Sequence, residues 1–351
     1  MQMFESMLRI YQRLQDDESK ELFDMRITYL LNHDLDGLLE RVYHLYADSK
    51  WTSLELEDKI TAVNPKGIII FGCGHDGKMT KKLLELWKYN VAFFCDNHLN
   101  GILDGKTILS VKDVVDKYKD YLVVIGSSRY GKEMFIELVQ KGFPYTNILL
   151  PKYFDVSGII WASRGKEYFD LFEPQTEEIY VDAGAFDGDT IVAFNQWTHG
   201  KYKKIYALEP MNSMYEAMRQ KMISENIQGI ETFDCAAWSR KEKLRFTENS
   251  SASHRSNSGE ISVQGIDIDS IVKDEKVTFI KMDIEGSELE ALKGAKNTIL
   301  SNQPRLAICL YHKPMDVIEI PSYIIDLVPE YKLYIRHYGS HLGGTVLYAR
   351  V

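Results

Sequence analysis

Two stretches of this chain repeat one pattern: a short apolar run ending on glycine or a carboxylate, a helix-forming stretch, then another apolar run. The first series is GIIIFGCG, VAFFCDN, YLVVIGSS and NILLP. The second is EIYVDAGA, KKIYALEP, GIETFDCAAW, VTFIKMDIE and RLAICLYH, followed by YKLYIRHY and TVLYARV. Runs that are apolar throughout suit strands covered on both faces, and strands alternating with helices imply parallel sheets with right-handed crossovers. The expected fold is therefore α/β. A C-terminal, seven-stranded Rossmann-like sheet with an antiparallel last strand follows a smaller Rossmann-like α/β domain and an N-terminal helical segment. Only the short Gly-rich SHLGG separates the last two runs, which makes them a hairpin. KLRFTEN and ISVQGIDID, around the Ser-rich stretch Asn249–Glu260, read as an inserted hairpin.

A length of 351 residues against a usual ~100–200 per domain supports two domains. The boundaries are a helical segment over 1–60, a nucleotide-binding-type domain over 61–151, a connector over 152–176 and a larger domain over 177–351. Met7, Ile10, Tyr11 and Leu14 recur at helical spacing, as do Leu38, Leu39, Val42, Tyr43 and Tyr46. This segment reads as a cap or as an oligomerisation element, which allows a homo-oligomer. The connector carries Trp161, Phe169 and Phe172 and is too aromatic for a free linker. A net charge of −9 supplies no global field for nucleic acid, though it leaves a local basic groove open. The four cysteines are far apart with no CxxC pairing, the pattern of buried thiols. With neither a secretory leader nor an apolar run of ~20 residues, the expectation is a cytoplasmic protein without a membrane span.

The chemistry concentrates in Val181–Thr190, VDAGAFDGDT. Gly184 lets the backbone approach a ligand at the carboxyl edge of the sheet, in a turn running from Asp182 through Ala185, Phe186 and Asp187 to Thr190. Asp182, Asp187 and Asp189 would repel a pyrophosphate but suit a cofactor bearing a sulfonium and an ammonium group. The other reading is a helix start with acidic caps. The next strand ends in Glu209 and Pro210, where a carboxylate is placed to accept both ribose hydroxyls. The third ends in Asp234, Cys235 and Ala236, a polar residue beside small ones at an adenine edge; the fourth ends in Asp283.

VDAGAFDGDT, ALEP, CAAW and IKMDIEGSELEALKGA together resemble the FkbM family of S-adenosylmethionine-dependent methyltransferases, in order and spacing, over roughly 175–351. The resemblance implies an O-methyltransferase acting on a hydroxyl of a sugar, nucleotide-sugar or other small molecule, in a setting such as polysaccharide biosynthesis. It further implies that Asp182, Gly184 and Asp187 contact the methionine part of S-adenosylmethionine and that Glu209 binds ribose. Asp234 and Ala236 would then border adenine, with Asp283 near the methyl group.

Methyl transfer to oxygen requires loss of the hydroxyl proton. His312 is the first candidate base because histidine is readily tuned near neutral pH; His337 and His341 follow. Each has the alternative of a structural histidine. Arg336 reads either as an anchor for an anionic substrate or as the partner of an acidic segment. His254 and Arg255 lie in the Ser-rich loop, a mobile lid or a solvated loop. No His/Asp cluster stands at ligand spacing, so no metal is expected.

Gly72, Gly74 and Gly77 form a GxGxxG after a strand, with Asp96 ending the next strand, as a nucleotide fingerprint requires. The glycines alternatively serve tight strand–helix packing. This segment resembles the Rossmann-like domains attached to sugar-modifying transferases, which hold nucleotide-sugars. Two other functions stay open: a nucleotide-sugar-binding scaffold without turnover, and an NAD-dependent oxidoreductase.

Overall fold

The computed structural model describes residues 2–47, 54–151, 167–249, 252–255, 261–339 and 342–351. The chain forms two compact units, one of Leu39–Arg164 and one of Met1–Leu38 with Gly165–Val351. It begins with helices α1 (Gln2–Arg13), α2 (Asp17–Asn32), α3 (Leu35–Ala47) and α4 (Leu54–Val63).

The smaller unit continues through β1 (Ile68–Phe71), α5 (His75–Leu86), β2 (Val91–Cys95), β3 (Gly101–Leu103), β4 (Lys106–Leu109), α6 (Val111–Lys117), β5 (Leu122–Ile125), α7 (Gly131–Gln140) and β6 (Ile148–Leu149). Its sheet has the order β3-β4-β2-β1-β5-β6, parallel except for β3 against β4. That hairpin replaces part of the loop expected between VAFFCDN and the next helix. Its turn, Asp104–Gly105, has both φ angles positive (47° and 74°), the twist that a two-residue hairpin turn requires.

The larger unit contains β7 (Glu178–Ala183), α8 (Asp189–Trp197), β8 (Tyr202–Leu208), α9 (Asn212–Ser224), β9 (Ile230–Phe233), β10 (Ala236–Ala237), β11 (Glu242–Asn249), β12 (Ala252–Arg255), β13 (Ile261–Ile266), α10 (Ile268–Val272), β14 (Phe279–Met282), α11 (Glu288–Gly294), α12 (Lys296–Asn302), β15 (Arg305–Cys309), α13 (Asp316–Leu327), β16 (Lys332–His337) and β17 (Thr345–Arg350). The seven-stranded order is β16-β17-β15-β14-β7-β8-β9. As the apolar runs imply, β7, β14 and β15 are buried along their whole length. β17 runs antiparallel to both β15 and β16. From β7 the chain builds outward to β8 and β9, then returns to add β14 and β15 on the other side. That reversal makes the carboxyl ends of β7 and β14 the topological switch point, where open α/β sheets take ligands. β11 and β13 pair antiparallel as expected, but within a four-stranded sheet, β10-β13-β11-β12, around Ala236, Trp238, Leu244 and Val263.

The first two helices belong to the larger unit. α2 buries Leu22, Phe23, Met25 and Ile27, and Leu14 bridges Leu333 of the edge strand β16. Gln15 donates its amide to Leu333, and Ile335 donates to Ser19 Oγ. Covering β16 in this way removes an open sheet edge. Asp16 caps α2 through the Ser19 amide (2.8 Å) and accepts from Arg336 at 2.7 and 3.2 Å. Glu18 stands 3.6 Å from the same guanidinium. Arg336 is therefore spent on the N-terminal segment, which corrects its reading as a substrate anchor.

Burial opposes ionisation of Asp16, but Arg336 and Ser19 outweigh it and hold the carboxyl below its ordinary range. Its stabilising effect is thus complete above the unfolded-chain pKa and fades as pH falls through the lowered folded value. Asp16→Ala should reduce stability by about 2–3 kcal/mol in urea unfolding at neutral pH, since it removes a cap and strands a buried guanidinium. An unchanged midpoint would show that the segment does not clamp β16.

Candidate functional site

Asp182 and Lys281 stand opposite each other in the register of β7 and β14, and both are fully buried. Lys281 Nζ lies 3.1 Å from Asp182 Oδ1 and donates to the Gly184 carbonyl at 2.7 Å. Thr190, at the start of α8, donates to Asp182 Oδ2 at 2.5 Å. Burial pushes the Asp182 carboxyl up, against the pull of Lys281 and Thr190. Burial also works against the Lys281 charge, yet Asp182 and Asp283 hold that ammonium above its usual range. Asp182 thus forms the floor of the turn. Lys281 is a site residue that sequence reasoning missed. Its signal was a lysine inside the apolar run FIKM, because such a charge persists only when paired.

Above this pair the turn admits only glycine. Gly184 has φ +79°, and a Cβ there would lie 1.9 Å from the Asp283 carbonyl oxygen. Phe186 has φ 48°, is 54% exposed, and donates its amide to Glu209 Oε2 at 3.0 Å. Glu209 Oε1 accepts the Met211 amide at 2.9 Å. Burial raises the Glu209 pKa, opposed by those two amides. Each of its oxygens has one amide partner and so keeps a further lone pair. Asp187 is ion-paired with Lys221. Two of the turn's three carboxylates are therefore matched by lysines, so the turn is less negative than its sequence suggests, and Asp189 keeps it acidic. Asp234 is exposed, while Cys235 and Ala236 are buried where β9 gives way to β10.

Asp283, just past β14, accepts the hydroxyls of Tyr168 at 3.0 Å and Tyr311 at 3.1 Å. Burial opposes its ionisation, but Lys281, His312 and the two hydroxyls hold the carboxyl below its ordinary range. His312 comes from the turn after β15. Its Nε2 lies 3.3 Å from Asp283 Oδ1 and 3.6 Å from Glu285 Oε2, and its Nδ1 lies 2.8 Å from Glu288 Oε1. Burial lowers the imidazole pKa, but Glu288, Asp283 and Glu285 reverse that and raise it. Glu288, fully buried at the start of α11, also accepts the amides of Ile284 (2.9 Å) and Gly286 (3.4 Å). One carboxylate therefore shapes the loop after β14 and touches the histidine. Tyr168, Tyr311 and Glu288 had no assigned role in the sequence reading, because their partners are distant along the chain.

The other candidates lie elsewhere. His337 is buried on β16, its Nδ1 2.8 Å from Thr345 Oγ1, with β17 and β15 between its strand and β14. That placement corrects its reading as a base. The backbone of His254 and Arg255 forms β12, but their side chains lie outside the described residues, as do His341 and Trp161. In the smaller unit, a Cβ on Gly77 would lie 2.0 Å from the Gly72 carbonyl oxygen, so these glycines do serve close packing. Gly74 caps α5. Asp96 accepts the amides of Cys73 (3.1 Å), His98 (2.9 Å) and Leu99 (3.1 Å).

Residues 182–342 match the family model described as the methyltransferase FkbM domain. No curated protein matches the chain. Similar solved structures include methyltransferase FkbM from Methylobacillus flagellatus KT, at 20% identity over 89% of this chain and 99% of that one, TM-score 0.48. An rRNA methylase from Streptococcus thermophilus is 18% identical over 50% of this chain and 87% of its own, TM-score 0.34. A Streptococcus mutans protein in complex with SAH is 14% identical over 50% and 90%, TM-score 0.33.

Lys281→Met removes the partner of a buried carboxylate. It should cost about 3–5 kcal/mol in chemical unfolding, whereas Asp182→Asn with Lys281→Met should recover part of that loss. Additive losses would show that the two side chains do not act as a pair.

Proposed function

We propose that this chain, whose residues 182–342 form an FkbM methyltransferase domain, transfers a methyl group from S-adenosylmethionine to a hydroxyl of a sugar, nucleotide-sugar or related small molecule, in glycan or polysaccharide modification. The observation that carries the reading is the group of acidic residues gathered at the carboxyl ends of β7, β8 and β14. There a glycine-only turn, the twice-bonded Glu209 and the Asp283–His312 contact share one edge. Gly184 brings the turn after β7 against the backbone at Asp283, so the two strand ends meet at this edge. Glu209 retains acceptor sites for ribose hydroxyls, and Asp234 to Ala236 border the adenine.

S-adenosylmethionine, when bound, supplies an electrophilic methyl on sulfur. The chain's own residues do the rest. The turn from Gly184 to Asp187 holds the methionine part, while Asp283 and His312 receive the acceptor hydroxyl and help it lose its proton. No helix among the described residues is long and apolar enough to cross a membrane.

Calorimetric titration with S-adenosylhomocysteine should show saturable binding that Glu209→Ala weakens at least ~10-fold, as loss of charge-assisted hydrogen bonds demands. His312→Ala should keep that affinity while S-adenosylhomocysteine release, assayed over a panel of sugars and nucleotide-sugars, falls by ~10²-fold. Failure of the intact chain to bind S-adenosylhomocysteine would sink the reading.

A further inference from the structure

We propose that Asp283, Glu288 and His312 form a divalent-cation site at the edge that receives the acceptor, a purpose that rests on the methyl-transfer reading above. Each offers a donor atom, and the three atoms lie within 4.8 Å of one another. Ligands ~2.1 Å from one ion stand roughly 3 Å apart when adjacent and ~4 Å apart when opposite, so a single ion spans this spacing after small adjustment. The sequence hid the cluster because its members come from two strand ends and a helix start. The expectation of no metal rested on that dispersal.

Unsatisfied atoms give the second argument. The His312 side chain is 8% exposed and Glu288 is fully buried. Yet among the described residues His312 Nε2 and Glu288 Oε2 have no hydrogen-bond partner. A buried polar atom left so costs about 1–3 kcal/mol, which a cation would relieve. His312 Nδ1 is 2.8 Å from Glu288 Oε1 but also lacks a well-directed hydrogen bond. Close donors that do not point at each other are what convergence on a shared centre produces. Around one imidazole stand the carboxylates of Asp283, Glu285 and Glu288, more negative charge than the ring alone can match.

The donor set selects the ion. Oxygen donors with one imidazole nitrogen favour Mn²⁺ or Mg²⁺, and the nitrogen favours Mn²⁺. The nearby sulfur, Cys309, is buried beside the Tyr168 hydroxyl, and its thiol is held well above its ordinary pKa, chiefly by burial. It supplies no thiolate to attract a softer metal. Tyr168 donates to Asp283 Oδ2 and Tyr311 to Oδ1, and the two hydrogen bonds fix the orientation of that ligand. A cation here would take the acceptor oxygen as a further ligand. The O–H bond then breaks with its proton passing to solvent, and the O–CH₃ bond forms as the S–CH₃ bond breaks with its electron pair left on sulfur.

Titration of the intact chain with Mn²⁺ alone, read by the paramagnetic signal of free ion, should show saturable binding. Asp283→Asn and His312→Gln should each weaken it by ~10–100-fold, and Mg²⁺ should compete. S-adenosylhomocysteine titration of the same variants reports whether the fold and cofactor site survive. Absence of Mn²⁺ binding, or binding unchanged in His312→Gln, overturns the cation site. If S-adenosylhomocysteine still binds and turnover ignores chelator, the methyl-transfer reading stands with His312 acting as a base without metal. Mn²⁺ binding without S-adenosylhomocysteine binding would keep the cation site and remove that reading.

Discussion

The buried Asp182–Lys281 pair sets the geometry on which the switch point depends. Two desolvated charges add little net stability, since their attraction mainly offsets the loss of water. Their value is in register and position. The pair is satisfied only when β7 and β14 run side by side with Asp182 opposite Lys281. The same ammonium holds the Gly184 carbonyl, so the turn is pinned to the strand that carries Asp283. Gly184 completes the arrangement by letting the two strand ends approach where any side chain would collide with the Asp283 backbone.

Around that point the acidic residues divide into two kinds. Asp182 and Asp187 have lysine partners and serve the turn itself. Glu209 is held by two backbone amides alone, whereas Asp283 has two tyrosine hydroxyls together with the nearby Lys281 and His312. Among the four, Glu209 is the carboxylate without a cationic partner in hydrogen-bond or ion-pair contact among the described residues.

The strands were legible because buried parallel strands write themselves as unbroken apolar runs, and the final hairpin because only SHLGG separates its strands. The Asp104–Gly105 hairpin has its own local signal, an Asp-Gly pair between short apolar runs. What could not be read was pairing across long separations. Nothing near Arg336 predicts that Asp16 and Glu18 will bury it, and nothing near His337 distinguishes it from His312. His337 ends β16 and His312 lies in the turn after β15, two strands of one sheet. They differ because β15 adjoins β14 while β16 is placed at the edge, a fact of topology that a linear pattern does not contain.

A comparison within the chain sharpens the reading of strand-end acids. In the smaller unit, Asp96 at the end of β2 accepts the amide of Cys73 in the glycine turn after β1. In the larger unit, Glu209 at the end of β8 accepts the amide of Phe186 in the glycine turn after β7. The two units thus use the same brace, a carboxylate from the second strand tying down the turn of the first. An acid at this position is explained by the brace before any ribose is invoked. What separates the two is how much acceptor capacity remains. Asp96 spends three bonds on backbone amides. Glu209 spends two and keeps a lone pair on each oxygen, the geometry a pair of adjacent hydroxyls requires.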